Sequence, residues 1–333
     1  MAVERRAGPT SGECAGAAAG PERGSAAPRI AVCIATFRRP EGLAALLASL
    51  GRLTFARQQP RVFVVVSDND ARESARTTAA AAAPHLPWDL HYVVEPERNI
   101  SRARNRAVSR ALEVGTDFVA FVDDDETVCA DWLDELLDAQ ACFGADAVQG
   151  RVIPCFAPGT PAWLADAPAF AVSPPPRGTL VPVASTNNVL VVARLLVGDR
   201  PFDPAFGISG GEDSFFFLRA AREGARIVAA PGAVTREHIG PARARAGWVL
   251  RRSFRVGNTA LRCEYALPAR RRAVARRLAW ATVRLGVSAA LLPASPLLGR
   301  AGVLRALSAV GYGLGCWAAL GGYSYLEYRD VVR

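Results

Sequence analysis

The residues FVAFVDDDE at 118–126 constrain this chain more than any other stretch. An unbroken apolar, β-prone run reads as a strand buried on both faces, as in a parallel sheet covered by helices. The run ends abruptly in four consecutive carboxylates. Carboxyl ends of strands are where open α/β sheets place their ligand sites. Four negative charges crowd there unfavourably unless a cation sits among them. Hard oxygen donors of this kind suit Mg2+ or Mn2+, which usually also hold substrate phosphates. The alternative is a solvated acidic turn, with Asp125 or Thr127 starting a helix over 131–143.

What surrounds this stretch repeats its logic. Residues 28–36, 61–67 and 90–94 are short apolar runs that predict three more strands. Pro40 and Glu41 open a helix through Leu50, with Leu43, Leu46, Leu47 and Leu50 on one face. The Ala-rich residues 71–83 predict a second helix, and Ser101 caps a third that runs to about residue 114. Strands alternating with helices imply an α/β fold with a mainly parallel doubly wound sheet. No G-x-G-x-x-G or G-x-x-x-x-G-K-[ST] occurs, so neither a dinucleotide fingerprint nor a P-loop is supported.

Beyond the acidic cluster the order loosens. Residues 147–153 and 187–193 predict strands. Residues 154–178 hold many prolines and Trp163, and read as a long functional loop. Residues 207–213 (GISGGED) form a glycine-rich loop before a helix over 214–223, and 237–241 (EHIGP) predict a turn leading into an Arg-rich helix near Trp248.

The net charge of +9 is unevenly spread. From 219 to 284 there are 16 Arg against 3 Glu, a local +13, which leaves −4 for the remainder. Such a band suggests phosphates on a ligand, a nucleic acid or an anionic membrane surface. A nucleic-acid binder is disfavoured, because it leaves the acidic strand end unexplained and the aromatics are not interleaved with Arg as stacking platforms. Seven scattered cysteines without a CxxC pair argue for reduced thiols in a cytoplasmic setting and against zinc. Residues 1–28, rich in Ala, Gly, Pro and Ser and without an apolar core, read as a disordered tail with no secretory signal. Two apolar stretches close the chain, 278–298 and 303–325, behind a collar of Arg270, Arg271, Arg272, Arg276 and Arg277. They read as helices that span the membrane, lie in its surface or form a hairpin, with the collar on the cytoplasmic side. The alternative is core helices packed on the rest of the chain.

The motifs ATFRRP (35–40), SDND (67–70), ERNISRARN (97–105), FVDDDE (121–126), GGEDSFFFLR (210–219) and the EH…R…W…RRSFRVGN segment (237–258) together resemble family 2 glycosyltransferases. The resemblance is strongest to bacterial exopolysaccharide enzymes of the succinoglycan-biosynthesis type. It covers roughly residues 29–260, so a GT-A catalytic domain is expected there and a basic, apolar, membrane-associating helical region over 261–333.

That resemblance implies roles for individual residues. Thr36, Phe37 and Arg38 would line the nucleotide pocket, and Asp68 and Asp70 would sit near base and ribose. Arg98, Asn99, Arg102 and Asn105 would complete the nucleoside and sugar contacts. From the residues alone, Arg102 is equally an ion-pairing helix-surface residue and Asp68 a helix cap. Asp123 and Asp125 would be the D-x-D pair that joins a divalent Mg2+ or Mn2+ to the nucleotide diphosphate, with Asp124 on the ribose. Which of the three aspartates touches the metal stays open, since three in a row allow two registers. Asp213, beside Glu212, is implied as the general base of an inverting transfer. His238 suggests a third metal or diphosphate contact.

The Q-x-x-R-W motif of processive relatives is missing where Arg243, Arg245 and Trp248 stand, which favours single-sugar transfer. Basic residues around 251–255 could hold the pyrophosphate of a lipid-linked acceptor. The expected activity is a metal-dependent inverting transfer from a nucleotide-sugar donor, such as a UDP-sugar, to a lipid-linked glycan at the cytoplasmic face of the membrane. The alternatives are a soluble or protein acceptor, or an inactive membrane scaffold.

Overall fold

The computed structural model describes residues 27–171, 173–198, 200–268 and 270–328. The expected tail over 1–28 lies outside the described residues, apart from its last two. The apolar runs form β1 (Arg29–Thr36), β2 (Arg61–Asp68), β3 (Asp89–Val94) and β4 (Phe118–Val122). With β5 (Glu126–Val128), β6 (Ala147–Phe156), β7 (Asn188–Val192) and β8 (Ile227–Ile239) they make one eight-stranded sheet in the order β3-β2-β1-β4-β7-β6-β8-β5. The helices are α1 (Pro40–Leu50), α2 (Arg76–Ala82), α3 (Ile100–Val114), α4 (Trp132–Phe143), α5 (Ala162–Ala165), α6 (Glu212–Arg222), α7 (Ala246–Ala266), α8 (Arg271–Leu291) and α9 (Gly299–Leu320).

The alternation along β1 shows why both faces are covered. Ile30, Val32 and Ile34 point into a core shared with Leu43, Leu46, Leu47 and Leu50 of α1 and Trp132, Leu133 and Leu136 of α4. Ala31 and Cys33 point the other way, toward Ala107, Val108 and Ala111 of α3 and Phe216 and Phe217 of α6. Each of the four α1 leucines is fully buried. The half-sheet β3-β2-β1-β4 is parallel throughout. β7 then enters antiparallel to both β4 and β6, and β6 pairs β8 in parallel, so the sheet is mixed beyond its centre.

Several local expectations change. Residues 71–75 are a turn rather than the start of a helix, because the Asp68 carboxylate accepts from the amides of Asp70 (3.1 Å) and Ala75 (2.7 Å) and winds the chain beneath it. Asn99, in extended geometry, caps α3 by accepting from the Arg102 amide at 3.1 Å. The Ser101 hydroxyl instead donates to the Asp203 carbonyl. After the acidic run the chain makes β5 before α4, so neither Asp125 nor Thr127 starts that helix. Residues 237–239 are not a turn but the end of β8, held between β5 and β6.

The last three helices pack on one another and on the sheet domain. Gly257 of α7 lets α9 approach backbone to backbone, since a Cβ there would lie 2.0 Å from the Tyr312 carbonyl oxygen. Glu264, buried in α7, accepts from Arg277 of α8 at 3.0 Å and from Arg222 of α6. α7 runs unbroken through residue 260, where the catalytic domain was expected to end. Residues 321–328 turn back toward the sheet. Asn258 donates to the Tyr323 carbonyl and accepts from the Tyr325 amide, and the Tyr328 amide donates to the Ile208 carbonyl at 3.0 Å.

Candidate active site

Asp123, Asp124 and Asp125 occupy the crossing from β4, in the middle of the sheet, to β5 at its edge. Asp124 is buried: it accepts from the Thr36 hydroxyl at 2.8 Å and from Arg39 at 2.9 Å. Asp125 accepts from Arg39 (3.0 Å) and from Arg243 (2.8 Å), and Arg243 also pairs with Glu237. Asp123 accepts from Arg104 at 3.0 Å through Oδ1. Its side chain is 39% exposed, and its Oδ2 accepts from none of the described residues.

Arg104 is the keystone of this cluster. It is buried on α3, and its other guanidinium nitrogen pairs with Glu212 at the start of α6. Burial works against its charge, but Glu212 and Asp123 more than offset that and raise it above its ordinary range. Glu212 is itself buried, with Oε2 left without a partner among the described residues. Burial pushes its carboxyl up to about 7, against the pull of Arg104. Desolvation likewise carries Asp123 up to about 6, with Asp125 and Asp124 adding to the rise, and holds Asp124 up and Glu126 well above the usual carboxylate range. Four guanidiniums (Arg39, Arg104, Arg243, Arg252) thus face seven carboxylates (Asp123, Asp124, Asp125, Glu126, Glu212, Asp213, Glu237), and positive charge is short.

Asp213 follows Glu212 in the first turn of α6. Gly211 stands before them at φ +95°, a conformation side chains avoid, and swings the chain from the loop into the helix. Asp213 Oδ1 accepts from the Ser214 amide at 2.6 Å. Tyr328, brought in by residues 321–328, stands within electrostatic reach of Glu212, Arg104 and Asp123.

The residues read as nucleoside contacts fall into two groups. The guanidiniums of Arg38 and Arg98 both lie against Phe37, at 4.8 and 4.7 Å from its ring centroid. Arg38, itself at φ +53°, pairs with Asp70 at 2.7 Å and holds that carboxyl below its usual range. Arg38 is exposed and Phe37 and Arg98 are half-buried, so the three make a partly open, positively charged shelf. The second group is spent on partners within the chain, Arg102 at the surface and the others buried or half-buried. Asp68 is fully buried and also accepts from the Tyr92 hydroxyl (2.8 Å). Asn99 donates to the Pro204 carbonyl as well as capping α3, Asn105 exchanges both hydrogen bonds with the Phe202 backbone, and Arg102 pairs with Glu97. These side chains hold loops around the pocket.

Among the described residues, no three His, Cys, Asp or Glu side chains converge as a ready cation set. His238 is exposed on β8 and joined to the cluster by its amide, which donates to the Asp125 carbonyl at 2.9 Å. The donor chemistry nonetheless fits a hard divalent cation: carboxylate oxygens in excess, with raised carboxyls and an unpartnered oxygen on Asp123. Arg104, Arg39 and Tyr328 were absent from the sequence-based site. Arg104 lies inside the quoted 97–105 motif, but only burial separates it from Arg102 two residues away.

The model for the family described as glycosyl transferase family 2 matches residues 31–193. The succinoglycan biosynthesis protein ExoM of Rhizobium meliloti (strain 1021) is 38% identical over 232 residues, 69% of this chain and 72% of that protein. The solved structure of mannosyltransferase PcManGT from Pyrobaculum calidifontis, in complex with GDP-Man and Mn2+, matches with a TM-score of 0.56 at 19% identity, covering 90% of this chain and 89% of that one. At that identity the match speaks to fold alone, and it places the sheet described above among GT-A folds.

Proposed function

The chain belongs to glycosyl transferase family 2, and on that premise we propose that it transfers a single sugar, with inversion, from a nucleotide-sugar donor to a lipid-linked glycan in exopolysaccharide synthesis of the succinoglycan type. The observation that carries this reading is the cation-poor acidic centre at the carboxyl end of β4, beside a partly open Arg38–Phe37–Arg98 shelf.

The shelf takes the nucleoside and places the diphosphate toward Asp123 and Asp125. Those carboxylates, with His238 tied to the Asp125 carbonyl by its amide, would hold Mg2+ or Mn2+. Bound there, the cation would offset charge that gathers on the departing nucleoside diphosphate. Asp213 takes the proton from the acceptor hydroxyl as that oxygen attacks the anomeric carbon, so no covalent intermediate is needed. Arg104 keeps Asp123 and Glu212 in fixed relation, and so ties the donor side to the acceptor side. Asp124, locked by Thr36 and Arg39, sets the strand end from which the others project.

Attachment to a membrane is supported by the surface of the last helices. Trp280, Val283, Val287 and Leu291 of α8 and Leu314, Trp317 and Leu320 of α9 are all exposed. α9 is long and apolar enough to cross a membrane, although 39% of its most apolar window is buried against the protein. A helix pair lying in the cytoplasmic surface, with the Arg270–Arg272 collar on anionic headgroups, accounts for both facts.

The test is an assay of membranes containing the full chain against radiolabelled nucleotide sugars, with and without EDTA, reading label in lipid-extractable material. Transfer from one donor that is lost with EDTA and in Asp213→Asn is the expected result. Transfer that survives Asp213→Asn sinks the base assignment, and transfer only into soluble material sinks the lipid-linked acceptor.

A further inference from the structure

A cavity of about 310 Å3 lies between β6, the proline-rich loop and α7, beside the acidic centre and sharing Glu237 with it. Gln149, Ser185 and Asn187 give it a polar wall, and Phe170 and Pro174 an apolar one. Two arginines, Arg151 and Arg252, also line it. Neither forms an ion pair among the described residues, whereas nearby Arg243 and Arg255 are each matched to a carboxylate. Arg252 instead lies 5.2 Å from the centroid of the Trp248 ring, which stacks on Phe170 at 5.6 Å and 8°. Burial, with Arg255 close by, pulls Arg252 below the usual range of a guanidinium. Glu237 and Glu327 act on Arg252 from a distance, each already in a direct pair with another arginine. A desolvated guanidinium with no direct ion pair among the described residues is costly, and an anionic ligand would relieve that cost. The acidic wall residue Glu237 is already taken by Arg243, which ties it to Asp125, so the cavity borders the reaction centre.

We propose that this cavity is the acceptor subsite and that it selects a glycan bearing an anionic group, a carboxylate or a phosphate, held by Arg252 and Arg151 with a sugar face against Phe170. This deepens the transferase reading and rests on it. Ring stacking supplies affinity for sugar in general, and the paired guanidiniums supply discrimination for charge.

The experiment is calorimetric titration of three probes into the full chain saturated with UDP and Mn2+: benzyl glucuronide, benzyl phosphate and benzyl glucoside. The expected result is binding of at least one anionic probe, with the neutral glucoside at least tenfold weaker. Arg252→Gln should then weaken the anionic probe at least tenfold and leave UDP binding unchanged. Which probe wins separates a sugar carboxylate from a phosphate. Equal affinity for the glucoside, no binding of either anion, or an unaltered Arg252→Gln overturns the proposal. Should Arg252→Gln fail to fold, Arg151→Gln, an exposed position, carries the same comparison. Failure of UDP itself to bind would count against the transferase reading, and the probes, titrated alone, would still report on the cavity.

Discussion

Asp68 and Glu212 are both buried carboxylates near the carboxyl edge of one sheet, and they are treated in opposite ways. Asp68 accepts from the Asp70 and Ala75 amides and from the Tyr92 hydroxyl. Glu212 has one oxygen on Arg104 and the other without a partner among the described residues, and its carboxyl rises to about 7. The same contrast holds for their neighbours. Asn99 and Asn105 are spent on backbone groups, while Asp123 keeps an oxygen open and Glu126 an orphaned one. A saturated polar cluster fixes a shape, whereas an unsaturated one holds capacity in reserve for something that arrives from outside. Polar residues in the same motif can therefore belong to scaffold or to chemistry, and hydrogen-bond saturation tells them apart.

The sharpest way to break this contrast is at Asp213. Asp213→Asn should lower transfer by about 10^3-fold, about 4 kcal/mol in barrier, with thermal stability unchanged. Arg104→Met comes next. It strands buried Glu212 beside Asp123 and should destabilise the fold by about 3 kcal/mol, read in urea unfolding, with activity falling alongside. Glu212 also predicts a pH signature. Its folded carboxyl is raised, so the folded state binds the extra proton, and stability falls as pH climbs from the unfolded value near 4.5 to about 7. The share of Glu212 in that slope should amount to about 2–3 kcal/mol and be removed in Glu212→Gln, leaving the part that the raised Asp123, Asp124 and Glu126 carry. On the saturated side the effect should be smaller and of another kind. Asn105→Ala should cost about 1–2 kcal/mol of stability, with the KM for donor within about twofold of the wild type. A large KM change there would mean that the loop-holding reading is wrong.

The parallel half of the sheet was legible because strand β1 and helix α1 carry unambiguous apolar patterns, and the acidic run announced its strand end. β8 was missed, since its apolar start and polar end (IVAAPGAVTREHI) follow no single period, and its place is set by pairing with β6 and β5. Within the site, Asp123 and Glu212 stand out as charges in a row. Arg104 does not, because SRARNR (101–106) offers several equivalent guanidiniums and only the facing of α3 chooses one. Tyr328 could not be seen at all from spacing, for it reaches the site by a turn at the end of α9.

That turn has a mechanical meaning. α9 is 22 residues long, a stiff rod of about 33 Å. Its far end is linked through residues 321–328 to the Ile208 carbonyl, on the loop that leads into Asp213. A tilt of about 2° over such a rod displaces its end by about 1 Å, and misplacement of that size can cost a reaction about 10^2-fold in rate. Such a rod would work as a lever: whatever leans on its apolar side would set the aim of Asp213, the proposed base.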